Sequence, residues 1–212
     1  MSLTKVAPRS RAKAKEGYHH GDLETALLVH AKKLISQNGV ENLSLRQVAA
    51  KVGVSPSAAY HHFPDKDALL RAAAKSAFED MAEFQVASQQ NFKGTSALAA
   101  RKRFRALGIS YVGFAQTNPH LFRLSFGPYC GGDEMARGES RPWQLLVASL
   151  DQLMAAGEIH PKIRPHAEVL VWSAIHGAAT LILDELLPEA ALESILDAIE
   201  ISLKSSGKVG NK

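Results

Sequence analysis

The chain of 212 residues contains a single cysteine, Cys130. No internal disulfide is possible, and a reducing, cytoplasmic compartment is the natural setting. Cys130 lies in the glycine-rich stretch GPYCGGD and reads as an incidental loop thiol. No run reaches the roughly 18 uninterrupted apolar residues of a membrane helix, so no membrane partner is expected. The opening MSLTKVAPRSRAKAKEG is basic but has no apolar signal core. It reads as a disordered basic arm over residues 1–17. No segment alternates apolar and polar residues as a half-buried strand does. Nucleophile elbow, phosphate loop, dinucleotide fingerprint and H-E-x-x-H are all missing. An enzyme built on the nine histidines therefore has no motif behind it. The adjacent pairs His19-His20 and His61-His62 cannot chelate as an i, i+4 pair does, because helical neighbours diverge by about 100°. Neither a metal nor a cofactor is expected.

What is present is unevenly charged. Residues 1–66 carry ten Lys and Arg against five Asp and Glu, while the remainder carries fifteen against sixteen. A basic front third on a near-neutral body points to a polyanion-binding module on a carrier. Almost every long segment has helical period. The spacing predicts a first helix from about Asp22 to Asn38, with Leu23, Ala26, Leu27, Ala31, Leu34 and Ile35 on one stripe and Gly39 as its C-cap. Ser44 and Gln47 form a capping box that opens a second helix. Gly53 breaks it after about two turns. Ser55 and Pro56, N-cap and first helical residue, start a third. Pro64 stops that helix by Phe63, and Asp65 caps a long fourth helix to about Asn91. Further helices are expected near 96–117, 119–126, 140–156, 165–186 and 189–204. The fold class is all-α, with about nine helices. The chain divides into the arm, a basic helical unit over 18–66 and a longer helical body over 67–206.

Two short helices joined by a glycine-containing turn make a helix-turn-helix, and LRQVAAKVGVSPSAAYHHF has that layout. Its second helix offers small residues that fit a major groove about 12 Å wide. The order V-G-V-S…Y-x-x-F-P-x-K-x-x-L, carried by Val52 to Ser55, Tyr60, Phe63, Pro64, Lys66 and Leu69, resembles the tetracycline-repressor-like family of bacterial regulators. The resemblance covers about residues 18–70. It implies that Ser44 and Arg46 meet the DNA backbone, and that Ser55, Pro56, Ser57 and Ala58 face base edges. Tyr60, His62 and Lys66 match positions that grip phosphate; His61 lies at the DNA margin. The recognition helix departs from the common pattern in having no Arg, Lys, Gln or Asn between Val54 and Tyr60, so reading is expected to lean on Arg46, methyl contacts and DNA shape.

The body carries a second resemblance. Trp172, His176 and Gly177 look like the Trp-x-x-x-His-Gly signature of one C-terminal subgroup of the same family. His176 on its apolar helix is either a hydrogen-bonded core histidine or a ligand contact. Phe104, Tyr111, Phe114, Phe122, Phe126, Trp143 and Trp172 either fill a core or, with His176, line an effector pocket. The basic run Arg101, Lys102, Arg103 and Arg105 reads as a solvated face. The last two helices are apolar enough to suggest a self-associating bundle, with Ile175, Ile182, Leu192, Ile195, Leu196 and Ile199 as the expected dimer interface. The resemblance implies a homodimeric one-component repressor. Its partners would be a palindromic double-stranded DNA operator and a small apolar or amphipathic effector. The rival reading is an architectural DNA-binding dimer whose aromatics are core alone.

Overall fold

In the computed structural model, residues 20–130 and 140–205 are described. The basic arm, the glycine-rich loop from 131 to 139 and the C-terminal tail from 206 lie outside the described residues. Nine α-helices and one 3-10 turn are found among the described residues. The first four are α1 (His20–Asn38), α2 (Leu45–Val52), α3 (Pro56–His62) and α4 (Lys66–Gln89). They are followed by α5 (Ala97–Thr117), α6 (Pro119–Ser125), α7 (Arg141–Ala155), α8 (Ala167–Leu183) and α9 (Ala191–Lys204). A 3-10 turn, Arg164–His166, leads into α8.

Local signals set the ends of the short helices. Ser44 Oγ accepts from the Gln47 amide at 3.2 Å, and Gln47 Oε1 accepts from the Ser44 amide at 3.1 Å. This reciprocal box covers two of the four orphan donors of α2. Gly53 adopts φ 81°, the left-handed conformation that closes the helix, and its amide donates to Ala49 and Ala50. The Val54 amide also donates to the Ala49 carbonyl, at 3.0 Å, so the chain turns tightly into α3.

The helices enclose two cores. The first gathers Leu27, Ala31 and Ile35 of α1, Val48 and Ala49 of α2, and Ala59 and Phe63 around α3. It continues along α4 through Leu69, Leu70, Ala73, Ala74 and Ala77. Leu121 and Leu124 of α6 complete it, although they follow far later in the sequence. The second core lies in the body. There α5 packs against α4, α6, α7, α8 and α9. It comes close to α9 at Gly108, where a Cβ would stand 2.9 Å from Leu196 Cδ2. A helix surrounded in this way needs a wide apolar face, and Phe104, Leu107, Tyr111, Val112 and Phe114 are all buried.

α6 therefore faces both ways. Leu121 and Leu124 enter the first core, while Phe122 lies in the second. α4 does the same along its length, since Met81 belongs to the body core.

The basic run at the start of α5 is not a solvated face. Arg105 pairs with Glu193, with Asp197 at 2.8 Å and with Glu200 at 3.1 Å, tying α5 to α9. Arg103 donates to Gln152 at 2.8 Å and to the Phe92 and Gly94 carbonyls. Charge patterning along one helix does not reveal partners on a helix about ninety residues away. One segment, Arg164–Leu183, is long and apolar enough by composition to cross a membrane. In the fold its Val171, Ile175, Ala178, Ala179 and Ile182 are buried in the protein.

Candidate nucleic-acid interface and ligand cavity

α3 buries Ala59 and turns its other side outward. Pro56, Ser57 and His61 are exposed, and Tyr60 is 44% exposed. Ser57, Tyr60 and His61 follow helical spacing and share one face. Ala58 is half-buried. Ser55 is exposed, but its Oγ accepts from the Ala58 amide at 3.2 Å and is held by that cap. Arg46 projects from the first turn of α2, and no hydrogen bond or ion pair holds it among the described residues. Ser44, half-buried, is committed to its capping box.

Two expected phosphate groups are placed differently. The His62 side chain is 10% exposed and its Nδ1 lies 3.9 Å from Glu24 Oε2 of α1. It sits three residues beyond Ala59, on the buried side of the helix, so it faces α1 and not the outer surface. Lys66 Nζ donates to the Glu41 carbonyl at 3.1 Å, hooking the start of α4 to the loop between α1 and α2. Two of its three N–H bonds remain for another acceptor.

The body contains a narrow apolar cleft among α4, α5, α7 and α8, whose empty space reaches about 550 Å³ only when the open solvent at its mouth is counted. Phe104, Tyr111, Phe126, Trp143 and Trp172 line it, as expected of those side chains. Phe114 does not; it turns toward Phe84, with ring centroids 6.1 Å apart. Phe122 and His176 stand behind the wall, stacked at 5.6 Å and packed on Phe126 at 4.9 and 4.6 Å respectively. The sequence missed Phe78, Gln85 and Ser140, all of which line the cavity. Gln85 interrupts the otherwise apolar stripe Phe78, Met81, Ala82 on α4, a signal that could have found it.

Behind the wall, Tyr111 is the centre of a small polar network. Its hydroxyl lies 2.8 Å from His176 Nδ1. Burial pushes the Tyr111 phenol well above its usual range, and a hydrogen bond from the Trp172 indole partly opposes this. The Tyr111 phenol therefore keeps its proton and can donate it to His176. Burial also lowers the His176 pKa, which favours the neutral imidazole that can accept it. Trp172 and His176, one helical turn apart on α8, pack with ring centroids 5.5 Å apart.

The residues expected at a dimer interface are corrected by their burial. Leu196 is fully buried within the protomer, and Ile175, Ile182, Leu192 and Ile199 are buried with it; Ile195 packs on the same core. They hold α8 and α9 to the body. Apolar periodicity marks a buried stripe without saying whether the partner is the same chain. The side chains these helices leave outside include Val169, 63% exposed, Ile201, 70% exposed, and Leu170 and Leu181. Val169, Ser173, Gly177 and Leu181 follow one another at i, i+4 spacing on α8.

The chain matches two family models. Residues 27–73 match that of the bacterial regulatory proteins of the tetR family, and residues 104–199 match a tetracyclin repressor-like C-terminal domain. A nucleoid occlusion factor, SlmA, from Sodalis glossinidius is 30% identical over 116 residues, which cover 53% of this chain and 54% of that protein. The chain thus spans about half the length of the curated relatives it matches. A solved protein of unknown function from Rhodococcus sp. RHA1 is 29% identical with a TM-score of 0.71, over 90% of this chain and 100% of that one. A TetR family transcription regulator from Marinobacter aquaeolei VT8 shares the fold, with a TM-score of 0.61 and 20% identity over 85% of this chain and 94% of that one.

Proposed function

Because the chain belongs to the tetR family of DNA-binding transcriptional regulators, we propose that it is a cytoplasmic, one-component repressor that leaves its operator when a small molecule enters the body. One observation carries this reading: a single helix serves both sites. Leu69 to Ala77 of α4 are core residues of the helix-turn-helix unit, and Phe78 and Gln85 of α4 line the cavity. A ligand that displaces the second half of α4 displaces the first half with it. Ligand and DNA then oppose each other by linkage, each weakening the other's preferred arrangement.

In this reading Ser57, Pro56 and Ala58 approach base edges, and Arg46, Tyr60 and His61 approach the backbone. Ser44, Ser55 and Lys66 keep their structural bonds and stand at the same margin. His62 acts by fixing α3 to α1. In this reading residues 18–66 form the DNA-binding unit and 67–206 the effector-binding and dimerisation body, with α4 and α6 shared between the cores. The repressor is a homodimer on a palindromic site, since two recognition helices read successive turns about 34–36 Å apart. The exposed row Val169, Ser173, Gly177 and Leu181, with Ile201, supplies the joining face; its small central residues permit close helix approach. Leu181→Glu combined with Ile201→Glu is expected to give monomers by sedimentation, with helix content unchanged.

The curated relatives are named nucleoid occlusion factors, and an architectural DNA-binding dimer without effector is the second reading. The aromatic cavity favours the first. Selection of genomic fragments by the purified protein tests it. Fragments sharing an inverted repeat should be enriched, and Ala58→Glu should abolish the enrichment. Uniform recovery of all fragments would count against a sequence-specific repressor.

A further inference from the structure

The cavity wall is apolar except at a few atoms, and their state is informative. Gln85 is 3% exposed, lines the cavity, and its Oε1 has no hydrogen-bond partner. Ser140 is 8% exposed, lines the same cavity, and its Oγ is unpaired too. Ser140 stands at the N-cap of α7, where serine ordinarily accepts from the helix amides, yet it makes no such bond. The Tyr111 hydroxyl is engaged by His176, and the other polar groups of the lining include the indole N–H donors of Trp143 and Trp172. Among the described residues, no charged side chain lines the cavity.

Buried polar groups in native proteins are nearly all paired, and the exceptions cluster where a ligand or water completes them. An acceptor waiting in an apolar pocket selects a molecule that brings a donor. A carboxylate or ammonium would find no counter-charge among the described wall residues and would lose its hydration. We infer that the cavity takes an uncharged, mainly aromatic or aliphatic ligand carrying one hydroxyl or N–H group, which Gln85 reads as acceptor with Ser140 as the second polar contact. This rests on the effector-pocket reading above and narrows it to a chemical class. Gln85 is then the specificity-determining residue. It lies on α4, so the bond that recognises the ligand also acts on the helix that enters the DNA-binding core.

Calorimetry on the full chain tests the inference with three skeletons: phenol, 2-naphthol and 4-phenylphenol. Each is compared with its methyl ether and with the corresponding carboxylate. At least one hydroxyl compound should bind about tenfold or more tightly than its ether, and its carboxylate should not compete. Gln85→Leu should bring alcohol and ether to equal affinity while leaving the ether's own binding in place. Ser140→Ala should reduce the preference less. A carboxylate binding as tightly as its alcohol, or a preference unchanged in both variants, overturns the assignment while leaving the pocket intact. If no compound binds and none shifts the melting temperature, the pocket reading fails as well.

Discussion

The two cores are filled by different means. Around the helix-turn-helix the space is closed by alanine, leucine and isoleucine, with Phe63 the one aromatic among its fully buried residues. In the body it is bounded by Phe104, Tyr111, Phe122 and two tryptophans, and it is not closed. Small side chains let α2 pack closely on α1 and on α3, which suits a surface that must match a DNA groove. Large planar rings meet edge to face and leave gaps between them. Stability and recognition thus fall on different parts of one chain, joined by α4 and α6.

The sharpest way to break this contrast is to open the closed core. Phe63→Ala removes a ring that is nearly fully buried and should cost about 3–5 kcal/mol in urea-induced unfolding. The same truncation at the hollow core should cost less. Trp143 already borders empty space, so Trp143→Ala should cost about 1–2 kcal/mol while removing ligand binding. Equal losses at the two sites would erase the distinction. Arg46→Ala should leave melting unchanged and weaken DNA binding at every sequence. The slope of log affinity against log salt should fall by about one; an unchanged slope would take Arg46 off the DNA. The smallest effect concerns pH. The His176 pKa is lowered by burial below its ordinary value of 6.5. The unfolded chain therefore binds this proton more readily than the folded one, and the stability that the neutral ring contributes is complete above about pH 6.5 and lost as pH falls below it. Between about pH 8 and 5 the melting temperature should fall more steeply for the native protein than for His176→Gln; parallel curves would mean that His176 does not titrate differently on folding.

Much of this contrast was legible in the sequence where the determinants are local. The Ser44–Gln47 box, Gly53, Ser55-Pro56 and Pro64 fix α2 and α3 within a residue or so, because caps and breakers act on their own neighbours. Five of eight expected wall residues line the cavity for a similar reason: their helical spacing places them inward. Spacing could not say which inner surface they meet, so Phe114, Phe122 and His176 turned out to face Phe84 or stand behind Phe126. Nor can it separate the two apolar sides of α8 and α9, and the residues expected to join protomers lie on the inner one. Lys66 and His62 are engaged by Glu41 and Glu24, residues distant in sequence. Gln85 and Ser140 were overlooked because a lone polar residue in a helix stripe gains meaning only once its surroundings are known to be apolar.

The central claim is that filling the hollow core changes what the closed one does. A titration of the protein on an operator fragment, followed by fluorescence anisotropy while ligand occupancy is read from the two tryptophans, tests it most directly. The account predicts that DNA affinity falls in step with occupancy, by roughly 5- to 150-fold at saturation. A pocket that fills to saturation while DNA affinity stays constant would contradict it.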